Sequence, residues 1–202
     1  MNTTPFHIFW DEHYPESVPL GHLLRQDYPG RWFRIHSLPN SKRYADNKKE
    51  WKTLLKRQNT LITDLLGTDA EFYLVTGRYY YVDMEIANLE TEYHKFECFR
   101  KMDLRESEAI NLFERYPKEY GEEDGVHYIP VATVTTWKPG TFDDLLEKIA
   151  DDETRAIFVG IQRPVIVAPY DGGVDCIVED AVHVKYCKNA YKNWLSQHEL
   201  GL

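Results

Sequence analysis

Long apolar runs are missing from this chain. No stretch approaches the roughly 20 apolar residues that a membrane-spanning helix needs. The start, Met1-Asn2-Thr3-Thr4-Pro5, has neither the basic region nor the apolar run of a secretory signal. Cysteine is scarce: Cys98, Cys176 and Cys187 are odd in number, far apart, and form no C-x-x-C pair. A disulfide framework is thereby excluded, and a reduced, cytoplasmic setting with the thiols packed as small core residues is expected. The eight histidines follow no metal-ligand spacing, so no metal and no cofactor is expected. Internal repeats, low-complexity tracts and Ser- or Pro-rich linkers are absent as well. No diagnostic catalytic signature appears.

The composition that remains is globular. The chain has 202 residues, 43% of them hydrophobic and 28% charged, which is enough for one full core, and a single domain over 1–202 is predicted. Fourteen Tyr and five Trp point to half-buried rings whose polar ends reach water or a partner. The charge is segregated. Residues 31–57 hold nine Lys/Arg against Asp46 and Glu50, a window of +7 in a chain of −9, so the rest carries −16. A basic stripe on an acidic body calls for an anionic partner or a solvated face. The acidic remainder disfavours general nucleic-acid binding.

Periodicity predicts an α+β fold: one mixed sheet, an N-terminal β-α-β unit, and a C-terminal β-meander followed by a helix. A short helix is read over 17–26, with Leu20, Leu23 and Leu24 on one face. Residues 31–37 alternate as a strand, with Phe33 and Ile35 on one side and Trp32, Arg34 and His36 on the other. The clearest element is a helix over 47–66. It is capped by Asn47 with Glu50 three residues on, is apolar at Trp51, Leu54, Leu55, Leu61, Ile62, Leu65 and Leu66, and is stopped by Gly67. Residues 72–76 complete the β-α-β unit, with a right-handed crossover if the strands are parallel. Between them, 79–82 and 93–102 read as strands and 106–116 as a helix stopped by Pro117. A strand over 127–137, a helix from Thr141, and strands over 156–159, 165–168 and 174–178 follow. Asp171-Gly172-Gly173 marks a hairpin between the last two. The terminal helix runs over 180–197 and is expected to bury Tyr186, Cys187, Ala190, Tyr191, Trp194 and Leu195.

Four places could carry chemistry. The first is the loop between strand 31–37 and helix 47–66, where a strand end meets the free amides of a helix start. Arg34, His36, Ser37, Ser41, Lys42 and Arg43 gather there in sequence and suit a phosphate or carboxylate, with Arg43 as a fork and Lys42 as a point charge. His36 is the candidate general acid or base. The loop has no glycine, so a P-loop cradle is missing, and the cations could instead pair with the acidic body. The second is the basic helix face of Lys48, Lys49, Lys52, Lys56 and Arg57, either a docking surface for an acidic partner or RNA or a solvated face. The third is Asp83-x-Glu85 with Glu90 or Glu92, a magnesium-type or acid–base pair or ordinary surface acids. The fourth is Pro169 to Asp175, where Asp171 and Asp175 act chemically or simply shape a turn. Cys187 with His183 four residues before it is a possible nucleophile pair, against the alternative of a buried inert thiol.

The stretch from Arg34 to Tyr44, the stretch from Pro169 to Asp175, and Trp194-Leu195-Ser196-Gln197-His198 together resemble a group of uncharacterised bacterial cytosolic proteins. The resemblance implies a bacterial origin and transfers no activity, cofactor or catalytic residue. The terminal hairpin and helix also resemble small bacterial immunity-type α/β proteins, at the level of fold. The function expected is a non-catalytic binding module, immunity-like, that recognises a protein partner. The alternative is an enzyme or sensor for a small anionic ligand at the loop after strand 31–37.

Overall fold

The computed structural model describes residues 5–81, 96–122 and 125–196. The fold is α+β. In chain order the elements are helix α1 (Phe6–His13), α2 (Leu24–Asp27), strand β1 (Trp32–His36), a 3-10 turn at Pro39–Ser41, α3 (Lys48–Leu66) and β2 (Glu71–Tyr81). Then come α4 (Glu97–Arg100), β3 (Arg105–Glu106), β4 (Ile110–Asn111), α5 (Leu112–Arg115) and β5 (Val126–Thr136). The chain closes with α6 (Asp143–Ala150), β6 (Ile157–Gly160), β7 (Ile166–Tyr170), β8 (Gly173–Ile177) and α7 (Ala181–Ala190). Among the described residues, eight strands form one sheet in the order β1-β8-β7-β6-β2-β5-β3, with β4 also on β5.

The chain divides into two compact units, Met1–Pro19 with Val75–Thr133, and Leu20–Leu74 with Val134–Leu202. The first is held by aromatic packing and by carbonyls caught in loops. Trp10 lies against Phe6 and Tyr14 with ring centroids 5.6 and 4.9 Å away, and its indole N–H donates to the Ser17 carbonyl at 2.9 Å. The Tyr116 hydroxyl accepts the Val18 N–H at 3.1 Å, and Arg115 donates to the Pro15 carbonyl at 2.8 Å. This traffic takes the backbone around Ser17 out of any helix. The helix read over 17–26 therefore shrinks to α2, and Gly21 turns instead against Ala168, where a Cβ would sit 3.2 Å from the alanine methyl.

Two further elements differ in this unit. The strand read over 93–102 contains α4 in its described part, and the helix read over 106–116 is replaced by β3, β4 and the single turn α5. The cause is pairing. Arg105 and Glu106 lie opposite Ala132 and Val131, and Ile110 opposite Tyr128, so β5 recruits both segments as short strands. Tertiary pairing overrides a weak helical pattern.

The second unit holds the loop after β1, the basic helix face, the 169–175 hairpin and Cys187. β6, β7 and β8 form the antiparallel meander, and β1 adds to β8 antiparallel at the edge of the sheet. The β-α-β elements fall where the sequence puts them, but β8, β7 and β6 stand between β1 and β2. Helix α3 forms for the reasons read from sequence. The Asn47 side chain accepts the Lys49 and Glu50 amides at 3.1 Å each, Leu54, Leu61, Ile62, Leu65 and Leu66 are buried, and Gly67 leaves the helix at φ 98°. Glu50 reaches back one residue further than a capping box requires, to the Asp46 N–H at 2.7 Å. Helix α7 ends at Ala190, and Tyr186 is 70% exposed rather than buried, while Cys187 and Tyr191 face the core.

Candidate functional site

Pleating puts Trp32, Arg34 and His36 on one face of β1 and the fully buried Phe33 and Ile35 on the other. In the β1–β8 register, Arg34 lies opposite Asp175 and His36 opposite Gly173. Arg34 grips Asp175 with both prongs of its fork, Nε to Oδ1 at 2.7 Å and Nη2 to Oδ2 at 2.8 Å. The Trp32 indole N–H adds a third bond to Oδ1 at 2.9 Å. The Asp175 side chain is 7% exposed and that of Arg34 18%, so this is a largely desolvated pair with three hydrogen bonds on the carboxylate. The Arg34 guanidinium also lies 4.8 Å from the Tyr170 ring centroid and 5.5 Å from that of Trp32.

A second acid–arginine pair forms at the hairpin tip. Tyr170 lies opposite Gly173, which makes Asp171-Gly172 a two-residue turn. Asp171 is buried and accepts Arg43 Nε at 2.6 Å and the Tyr44 hydroxyl at 2.9 Å on the same oxygen. Burial alone would raise its pKa, but the bonds from Arg43 and Tyr44 outweigh that and hold the carboxyl below its ordinary value. Tyr170 stands between the two pairs. Its phenol is pushed up to about 12, first by burial, with the Arg34 and Arg43 charges opposing and Asp175 and Asp171 reinforcing.

His36 is 8% exposed, and its Nε2 has no hydrogen-bond partner among the described residues. Its backbone N–H donates to the Trp194 carbonyl at 2.7 Å, and its carbonyl accepts Arg57 Nη1 at 2.9 Å. Burial, and then the Arg34 charge, lower the imidazole pKa, against a bond to the Gly172 backbone that raises it, with Arg57 lowering it further. The ring is therefore held neutral when folded. The unfolded chain takes up a proton as pH falls through about 6.5 and the folded one does not, so stability falls with acidification from there to the lower folded pKa. Urea midpoints from pH 7.5 to 5 should show that slope, and His36→Gln should reduce it. His22, also lowered chiefly by burial, supplies a remaining part.

The residues singled out in the first loop are thus only partly brought together. Arg34 and Arg43 converge on Tyr170, with His36 next to Arg34. Ser37 points to the other face of the sheet, where its Oγ accepts Gln58 Nε2 at 2.9 Å. Ser41 is exposed on the 3-10 turn at φ 55°. Lys42 is held by Glu50 at 2.6 Å and Asp46 at 2.7 Å. The helix start meant to greet an anion is filled by the Asn47 side chain. Arg34, Lys42 and Arg43 each have a carboxylate of their own, so the loop and hairpin form a brace of ion pairs. Chemistry at Cys187 is opposed too: burial, helped by Asp64, pushes its thiol up to about 11, away from thiolate. Asp83, Glu85, Glu90 and Glu92 lie outside the described residues.

A second feature opens along α3. A groove of about 680 Å³ runs between α3 and the start of α6. Lys48, Lys52 and Lys56 line one side, Trp51 and Leu55 the floor, and Asp143 and Glu147 the α6 side. Asn59 ties the walls together: its Nδ2 donates to Asp143 Oδ1 and its Oδ1 accepts the Gly140 N–H, both at 2.7 Å. Trp51 and Leu55 pack from below on the buried Leu38, Leu54 and Ala150, which leaves part of each side chain facing the groove.

Residues 20–199 match a family described as a domain of unknown function, DUF3885. The chain belongs to the DUF3885 family. No curated protein and no solved structure matches it. The DUF3885 span contains both the ion-pair brace and the groove. Among the described residues, no helix is long and apolar enough to cross a membrane.

Sequence reasoning placed the lysine row of this DUF3885 chain but misassigned Arg57, which turns inward to His36 and lies 5.4 Å from the Trp194 ring centroid. It missed Tyr170 as the ring between two ion pairs, and it missed Asn59, Asp143 and Glu147 as the facing wall. For that wall no sequence signal exists, because it depends on how α6 docks.

Proposed function

We propose that this protein is a non-catalytic binding module that recognises a protein partner through the groove between α3 and α6. The observation that carries this is the composition of the groove. A half-buried Trp and Leu form its floor, lysines with no ion-pair partner among the described residues rim one side, and carboxylates rim the other. An aromatic anchor within a charged rim is the anatomy of a recognition surface. The anionic-ligand alternative needs free cations in the loop after β1, and the pairing of Arg34, Lys42 and Arg43 with their own carboxylates removes that support.

The test compares capture from native extract by the wild type, Leu55→Asp and Lys52→Glu. The expected result is one protein retained by the wild type and lost from both variants while their melting temperatures stay close to that of the wild type. Lys52 is exposed, so its reversal leaves the core untouched. Equal retention by all three, or retention of nothing, overturns the proposal.

A further inference from the structure

The groove also specifies the chemistry of its occupant. Lys48, Lys52 and Lys56 recur every fourth residue, which places one ammonium per turn, about 6 Å apart along the α3 axis. Trp51 and Leu55 repeat with the same period one row inward. The three lysines make no ion pair among the described residues, although Asp143 and Glu147 line the same groove. The two charge rows line the same groove without pairing with each other among the described residues, so an inserted element would meet both. Both rims are helical. Among the described residues no strand lines the groove, which disfavours an added strand and favours a third helix packed ridge into groove.

We infer that the occupant is an amphipathic helix of another protein. It carries carboxylates four residues apart toward Lys48, Lys52 and Lys56, and one bulky apolar residue between them seated on Trp51 and Leu55. This rests on the protein-recognition function and adds the partner's chemistry. RNA fits less well, because Asp143 and Glu147 would stand against its phosphates. Glu147 contributes a second constraint. Its surroundings disfavour its ionised form, chiefly through burial and then through Asp144, Asp143 and Asp151. A further carboxylate on that side of the partner is penalised, so the acidic row belongs on the α3 side alone.

The experiment is fluorescence anisotropy on the full chain with labelled helical peptides of about four turns. One carries Glu at i, i+4 and i+8 with Leu at the intervening i+3. A second has Lys in place of each Glu, and a third is a scramble. The acidic peptide should bind at least about tenfold more tightly than the reversed one and weaken several-fold as salt rises to ~0.3 M. Lys52→Glu should weaken it by about tenfold or more, and Leu55→Asp should abolish it, while Lys49→Glu, outside the groove lining, should leave it within about twofold. Equal binding of acidic and reversed peptides, unchanged binding to Lys52→Glu, tighter binding of a single-stranded RNA oligomer, or self-association that the acidic peptide does not displace would each overturn the inference. The two failures separate cleanly. If a groove-dependent protein is captured but presents a basic or neutral segment, the stated chemistry falls and protein recognition stands. If no groove-dependent protein is captured, recognition falls whatever the peptides do.

Discussion

Gly173→Ala should destabilise the protein by about 3 kcal/mol, the upper end for forcing an extra methyl into packed structure. A Cβ at Gly173 would sit 2.1 Å from the Ile35 carbonyl oxygen and 3.0 Å from the Tyr170 hydroxyl. The nearer neighbour is backbone of the paired strand β1 and cannot swing aside as a side chain could. Relief requires pushing β1 off β8, which would also pull Arg34 from Asp175. Gly30→Ala is the control, since a Cβ there meets nothing within 4 Å. Thermal and urea unfolding of both variants provide the measurement. A melting temperature lowered by roughly 10 °C is expected for Gly173→Ala, and essentially none of that for Gly30→Ala. Equal stability would mean that β1 does not lie against Gly173.

The second large effect is at Asp175. Asp175→Leu strips the counter-charge from a mostly buried arginine and the acceptor from the Trp32 indole, so a loss of about 3–5 kcal/mol is expected. Arg34→Met alone leaves the carboxylate with only the indole bond and should fall in the same range. The double variant Arg34→Met/Asp175→Leu removes both charges and fills the space with apolar groups. It should recover a large part of the loss, because a buried pair is worth little net while a buried orphan is costly. Urea unfolding of the four proteins forms the cycle. If the single losses simply add in the double variant, the two residues are not coupled and the described pair is wrong.

The legible parts of the fold are those decided locally. Asn47, the apolar stripe from Leu54 to Leu66 and Gly67 specify α3 without help from the rest of the chain. The Asp171-Gly172 turn likewise fixes the register of β7 on β8. The order of the strands was not legible. Phe33 and Ile35 alternate equally well whether their neighbour is β2 or β8, and the choice falls to contacts such as Arg34 with Asp175, 141 residues apart. The same holds for 105–111, where a helix-compatible sequence is drawn into β-pairing by Tyr128 and Val131. At the candidate site, the charges of Arg34, Lys42 and Arg43 could be counted from sequence, but their partners could not. Lys42 finds its acids within eight residues, and Arg43 finds Asp171 at a separation of 128. The groove was half visible. The lysine row follows helical period, whereas Asp143 and Glu147 come from an element whose docking no local pattern encodes.

Strand β1 ends the sheet, and an uncovered sheet margin invites other chains to add to it. Here the segment after α7 turns back, stacks Tyr191 on Phe33 at 6.3 Å, anchors the Tyr191 hydroxyl on Asp64 at 2.7 Å, and lends the Trp194 carbonyl to the His36 amide. The turn that follows α7 is thus a guard against intermolecular zippering. Shortening the protein to Ala190 should leave the meander intact yet make it prone to precipitate on warming, which light scattering would register well before circular dichroism records loss of secondary structure.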